Sequence, residues 1–151
     1  MSGKMRQYWS IDEIERLVRA FESCTLPRCE WTHQAHLIVG LWYLTHYSQL
    51  EATNCIRNRI QKYNLAHGIQ TTKNSGYHET ITLFWVQMVR QFIVVESTNR
   101  SIVELANSLI QNYGNPRLTL EYYSKDLLMS QEARRSWVEP DLKSLKPILE
   151  R

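Results

Sequence analysis

The stretch Glu30–Leu37 reads Glu-Trp-Thr-His-Gln-Ala-His-Leu and opens the most apolar helical pattern in the first half of the chain. The residues after it are apolar on nearly every side, and a helix of that kind usually lies at the centre of a bundle. Its first residue is ambiguous, because Pro27 is compatible with a first helical turn, and Thr25 and Thr32 are both suitable N-caps. The pattern therefore predicts a central helix that begins between Pro27 and His33.

Helical periodicity predicts four further helices around this one. Three of them begin with capping boxes at Ser10, Ser48 and Ser101, each followed three residues later by Glu. The fourth is predicted over Tyr77–Glu96 and is about as apolar as the central helix. No alternation of polar and apolar residues is long enough for a sheet. The sequence thus predicts an all-α bundle of five main helices plus a short helical C-terminal segment, in one domain over residues 1–151.

Composition narrows the class of protein. A hydrophobic content of 43% and a charged content of 22% are ordinary for a globular chain. The 18 basic residues are scattered without forming a stripe, which argues against a nucleic-acid partner. The apolar run Ile81–Val95 is interrupted by Gln87, Arg90 and Gln91, which argues against a membrane span. Three cysteines without a signal peptide ahead of them predict reduced thiols and a cytoplasmic location.

Two histidines mark the start of the predicted central helix. His33 and His36 would lie about 60° apart on one helical face. Glu30 would join that face if the helix began early enough. Gly40 continues the same face and removes a side chain from it, which either leaves a pocket or lets a neighbouring helix approach.

A third histidine opens the other very apolar helix. His78 lies in the segment Gly76–Thr80, Gly-Tyr-His-Glu-Thr, and shares the predicted core face with Trp85. If the third helix returns the chain so that the second and fourth run parallel, then His33, His36 and His78 would converge on one pocket. Histidine clusters of this kind are built between facing helices of many bundles.

Three histidines with a carboxylate form a suitable ligand set for a divalent metal such as zinc, iron, manganese or nickel. The predicted metal ligands are Glu30, His33, His36 and His78. A metal-activated water could then support hydrolysis or group transfer on a small molecule. The predicted catalytic residues are His33, His36, His78 and Glu79. The predicted ligand-binding residues are Trp31, Tyr43, Tyr77 and Trp85.

The same histidines also allow a structural interpretation, since buried imidazoles commonly bond to backbone carbonyls or hydroxyls. The alternative is therefore a non-catalytic binding or adaptor module. It would form a homodimer through the apolar surface of the fourth helix, at Trp85, Met88, Phe92 and Val95. Under either interpretation, Trp42 and Trp85 are predicted to be buried against each other, or nearly so.

The segments Trp31–His36 and Gly76–Thr80 resemble signatures of a bacterial all-α family to which no activity is attached. The inward histidines also resemble the design of DinB/YfiT-like metal-dependent bundles, which bind a divalent metal through three histidines. Members of that family place two ligands as His-x-x-x-His on a late helix, and this chain has no such pair. The resemblance implies a metal-binding bundle and carries no residue role over to this chain.

Overall fold

The computed structural model describes residues 8–145, and the regular structure in that range is entirely helical. The all-α prediction is confirmed. The α-helices are α1 (Ile11–Glu22), α2 (His33–His46), α3 (Gln49–Ala66), α4 (Glu79–Glu96), α5 (Ile102–Tyr113), α6 (Thr119–Tyr122), α7 (Lys125–Leu128) and α8 (Gln131–Arg135). Short 3-10 turns span Arg28–Glu30 and Pro116–Leu118. The two ends of the predicted domain, residues 1–7 and 146–151, lie outside the described residues.

Side-chain caps determine where the helices begin. All three predicted capping boxes form, with the serine and the glutamate each accepting the other's backbone N–H. Thr32 rather than Thr25 caps α2, because its Oγ1 accepts the Ala35 N–H at 3.2 Å. Glu30 precedes this cap in an exposed 3-10 turn. The early start that would have placed Glu30 on the histidine face therefore does not occur.

The prediction that α2 is central is confirmed. It packs against α1, α3, α4 and α5. Its residues Leu37, Ile38, Val39 and Leu41 are each no more than 2% exposed. A helix with neighbours on all sides needs apolar residues around its whole circumference, which explains its lack of a polar face.

The C-terminal segment explains why α4 is also so apolar. One side of α4 contributes Val89 and Phe92 to the main core, whereas Phe84 and Met88 form a second cluster with Tyr123. Tyr123 belongs to the short C-terminal helices, which pack along α4 through α8. Both faces of α4 are therefore covered within one chain.

Two expectations about α4 and α2 need revision. Met88 and Phe92 are buried inside the chain, so two of the four residues suggested for a dimer contact are already covered. Trp42 and Trp85 pack against the main core but are only partly buried, which is less burial than predicted. None of the helices within residues 8–145 has the length and hydropathy needed to cross a membrane.

Candidate functional site

A half-open cleft of about 360 Å³ lies between α2, α3, α4 and the loop of residues 67–78. One face of α3 contributes Ile56, Ile60 and Asn64, spaced four residues apart and therefore stacked along the helix. The first halves of α2 and α4 supply most of the remaining wall. Residues from the first halves of both helices therefore line the same cleft.

The wall of the cleft is mainly apolar and carries no formal charge. None of the described residues that line it is Lys, Arg, Asp or Glu. Its aromatic members are Trp31, Tyr77 and Trp85, which are three of the four predicted ligand-binding residues. A cleft of this size and character is typical of small-molecule sites.

His36 is the polar centre of the cleft. Its Nδ1 lies 2.7 Å from the carbonyl oxygen of Thr32, one turn back. Since a carbonyl can only accept, Nδ1 carries the proton, and Nε2 is left as an unprotonated acceptor. The ring stacks on Trp31 with centroids 3.7 Å apart, and Trp31 stacks in turn on Phe21 at 4.4 Å. Within residues 8–145, the His36 Nε2 has no hydrogen-bond partner.

The protein keeps the His36 imidazole neutral. His36 is exposed to solvent, although many protein atoms also lie close to its ring. The loss of hydration lowers the pKa of His36 to about 4, against the opposing effect of the bond to Thr32 and with a small contribution from His33. At neutral pH His36 therefore carries an unprotonated Nε2 rather than a positive charge.

His33 points away from the cleft even though it is only three residues from His36. Its Nε2 lies 3.0 Å from the carbonyl oxygen of Tyr113 at the end of α5, and its ring meets the edge of Trp85. Desolvation lowers the pKa of His33, so this imidazole is also neutral. The structure thus joins α2 to α5 through His33 and does not bring it to the cleft.

His78 lines the cleft, but both of its ring nitrogens are occupied. It is the N-cap of α4, and its Nδ1 accepts the Ile81 N–H at 3.1 Å. Its Nε2–H donates to the carbonyl oxygen of Leu128 at 2.7 Å. Burial lowers the pKa of His78, and the nearby charge of Arg134 lowers it further. His78 therefore connects α4 to the C-terminal segment, and α4 begins at Glu79 instead of Tyr77.

The predicted catalytic carboxylate, Glu79, is already paired. It accepts from Nε and Nη2 of Arg57, with 2.8 Å between Nη2 and Oε2, and from the Tyr77 hydroxyl. Burial raises the pKa of Glu79, but these bonds outweigh it and the net shift is downward. Glu79 does not line the cleft. It accepts a hydrogen bond from the hydroxyl of Tyr77, which does line it.

Two other predicted site residues lie elsewhere. Glu30 is exposed in the turn before α2. Tyr43 is 1% exposed on another side of α2, where its hydroxyl donates to Glu22. Within the described range, no three His, Cys, Asp or Glu side chains are grouped so that they could hold a metal ion. The metal site stays a prediction from the sequence.

Asn64 is a lining residue that the sequence analysis missed. It is half-buried, and within the described part of the chain its side-chain amide has no hydrogen-bond partner. The signal was available, since Asn64 follows Ile56 and Ile60 at helical spacing on one face of α3. A polar amide at the end of an apolar stripe is unusual for a purely structural face.

Comparisons with known proteins give no match to this chain among family models, curated proteins or solved structures. The class of protein is therefore defined by its fold and its cleft. Within residues 8–145 it is an all-α protein with a mainly apolar cleft, lined by no charged residue and by His36, whose Nε2 has no partner in that range.

Proposed function

We propose that this protein binds an uncharged, mainly apolar small molecule in the cleft, through a hydrogen bond from the ligand to Nε2 of His36. The observation that carries the proposal is the unpartnered, unprotonated Nε2 of His36, a residue that lines a mainly apolar cleft. A ligand without a donor would bury this acceptor without a partner, which is unfavourable. The ligand is therefore expected to carry an N–H or O–H group.

The charge of the wall supports a neutral ligand. Transferring an ion into an apolar site is costly unless an opposite charge meets it. The charged groups that contact lining residues already have partners: Glu79 pairs with Arg57 and accepts from Tyr77, and Arg134 donates to the carbonyl oxygens of Gly76 and Tyr77. Neither an anion nor a cation would find a free partner among the lining residues.

The size of the cleft limits the ligand further. A volume of about 360 Å³ has room for roughly a dozen non-hydrogen atoms, taking a share of about 30 Å³ for each water-sized group. The flat rings of Trp31, Tyr77 and Trp85 favour a planar or aromatic molecule, because such rings stack or pack edge to face. Asn64 offers a second polar contact that can donate or accept.

Binding is favoured over acid–base catalysis by the properties of His36. A general base works best when its pKa lies near the operating pH. The pKa of His36 is lowered to about 4, which makes its Nε2 a weak base but a good hydrogen-bond acceptor at neutral pH. The alternative carboxylate, Glu79, is held by Arg57 and Tyr77.

A matched pair of probes tests the proposal. Indole is neutral and planar and has one N–H, whereas indene has nearly the same shape without the donor. We expect indole to bind with chemical-shift changes confined to cleft residues, and to bind about three- to tenfold more tightly than indene, the effect of one net hydrogen bond. NMR titration of the full chain measures both affinities. Equal affinities, or shifts spread away from the cleft, would reject the proposal.

A second experiment tests whether the preference for indole over indene depends on Nε2 of His36. His36→Phe keeps a ring on Trp31 but removes the acceptor, so the preference for indole over indene should vanish. The control is His46→Phe, because His46 makes the same kind of stack and carbonyl contact at the other end of α2, outside the cleft. That variant should keep the full preference. If His36→Phe keeps it as well, the ligand does not bond to Nε2.

Metal dependence, expected from the sequence, is tested separately. Elemental analysis of protein purified without a histidine tag gives the metal content directly. A stoichiometric metal would favour the predicted metal-dependent enzyme acting by hydrolysis or group transfer. Indole binding that persists in the presence of a chelator would show that the cleft works without it.

A further inference from the structure

Gly40 is the eighth residue of α2 and has no conformational reason to be glycine. It lies in the middle of a regular helix, and its φ is not in the positive range that favours glycine. Glycine is the poorest helix former after proline. A glycine at this position therefore weakens the helix on which the core is built.

Packing does not require glycine at this position either. A Cβ atom built on Gly40 would meet nothing within 4 Å. The contrast with Gly76 is clear, since that residue has a φ of +88° and its added Cβ would lie 2.6 Å from the carbonyl oxygen of Gln70. At Gly76 the backbone excludes a side chain, whereas at Gly40 the space for one is open.

The open space at Gly40 belongs to the cleft. Gly40 is one of the lining residues and lies four residues after His36, which places it on the same face about 6 Å along the helix axis. A ligand anchored at the His36 Nε2 would reach position 40 by extending along α2 toward its C-terminal end. A leucine there would add four carbon atoms and take up roughly a third of the cleft, at about 30 Å³ for each water-sized group.

We infer that Gly40 is the residue that sets the size of the ligand, and that the open space beside it admits a fused-ring or similarly extended molecule rather than a single small ring. The inference rests on the proposed function, because it concerns the same cleft and the same anchor. It adds a specificity-determining residue that makes no contact of its own. The absent side chain leaves the volume that the distal part of the ligand fills.

A graded series at position 40 tests this inference. The variants Gly40→Ala, Gly40→Val and Gly40→Leu fill the space progressively, and the probes are indole and pyrrole. Both probes carry a ring N–H for His36, but only indole has the second ring. We expect Gly40→Leu to weaken indole binding about ten- to hundredfold, the usual effect of overfilling a packed site. Pyrrole binding should weaken by no more than about threefold, with Gly40→Ala and Gly40→Val in between for indole.

Two controls keep the result interpretable. Gly40→Ala should unfold at the same temperature as the wild type or higher, since alanine is the better helix former, so weaker indole binding in that variant cannot be attributed to unfolding. Thr45→Leu introduces leucine on the exposed last turn of α2, outside the lining residues. It should leave the affinities for both probes unchanged.

The possible outcomes separate this inference from the proposed function. If indole fails to bind the wild-type chain, both fall. Suppose instead that indole binds the wild type and that His36→Phe removes the preference for indole over indene, as proposed. If the Gly40 variants then weaken indole and pyrrole equally, or neither, only the role of Gly40 is overturned. A selective loss of indole that grows with side-chain size supports both.

Discussion

His36 and His46 lie at opposite ends of α2 and make the same local contacts. Each Nδ1 is 2.7 Å from the carbonyl oxygen four residues earlier, Thr32 for His36 and Trp42 for His46. Each ring also stacks on a tryptophan, with centroids 3.7 Å apart on Trp31 and 4.1 Å apart on Trp42. Local sequence is thus sufficient to orient an imidazole and to fix which nitrogen carries its proton.

The two histidines differ in what surrounds the free nitrogen. His36 lines a cleft whose other walls come from α3, α4 and the loop between them. His46 is exposed at the end of α2, outside that cleft, where the Thr45 hydroxyl lies 3.2 Å from its Nδ1. Tertiary structure, and not the local motif, therefore makes one of these imidazoles a candidate site.

The largest expected effect on stability comes from replacing the tryptophans that stack on His36 and His46. Trp31 and Trp42 are both partly buried against the main core. Replacing either with alanine should lower the free energy of unfolding by about 2–3 kcal/mol, somewhat less than the loss for a fully buried aromatic. Only Trp31→Ala should also abolish indole binding, because Trp31 lines the cleft and supports the ring of His36.

Urea denaturation and NMR titration of the folded variants measure these two effects. Loss of indole binding in folded Trp42→Ala would show that the two ends of α2 are not independent, and the distinction between His36 and His46 would fail.

Acid should destabilise the protein through its neutral histidines. Desolvation lowers the pKa values of His33, His36 and His78, and His36 reaches about 4. Between the unfolded pKa near 6.5 and the lower folded values, the unfolded chain binds more protons, so stability falls as the pH falls. We expect a loss of about 1–2 kcal/mol across this window, allowing for solvent access to His36. Urea midpoints measured from pH 8 to pH 4.5 test it.

The variant His36→Phe sharpens this prediction. It removes one of the three imidazoles, so its stability should depend less steeply on pH below about 6.5 than that of the wild type. An identical slope would show that the His36 ring is as free to accept a proton in the folded chain as in the unfolded one. Indole binding by the wild type should persist to about pH 5, because Nε2 remains unprotonated there.

Much of the fold could be predicted because short sequence patterns determine where its helices begin and which faces they bury. Capping boxes at Ser10, Ser48 and Ser101 involve residues three apart, and the structure forms all three. The central position of α2 followed from its apolar circumference. The start of α2 could not be predicted, since Thr25 and Thr32 are equivalent as residue types. Thr25 cannot cap α2 because Pro27 and the 3-10 turn after it separate Thr25 from the helix.

The candidate site was predictable only in part. His36 and His78 line the same cleft, and both were expected on the inward faces of two apolar helices. The orientation of His33 depended on the carbonyl of Tyr113, which is 80 residues away in the sequence. The second bond of His78 depended on Leu128, at a separation of 50 residues. Such long-range partners leave no local pattern in the sequence.

The smallest expected effect concerns Thr32, which supports His36 in two separable ways. Its hydroxyl caps α2 by accepting the Ala35 N–H, whereas its carbonyl holds Nδ1–H of His36. Thr32→Val removes the hydroxyl and keeps the carbonyl. It should therefore cost about 1 kcal/mol of stability, as lost N-caps usually do, without reducing the preference for indole over indene.

Ser48→Ala is the matched control near the other end of α2, because Ser48 caps α3 immediately after His46 and Tyr47. It should destabilise by a similar amount, about 1 kcal/mol, and should also leave indole binding unchanged. Both variants are compared with the wild type by thermal unfolding and by titration with the two probes. If Thr32→Val loses the preference while Ser48→Ala keeps it, then the cap, and not the carbonyl alone, holds the His36 ring in place. The free nitrogen would then depend on the start of the helix as a whole, and the local equivalence of His36 and His46 would no longer hold.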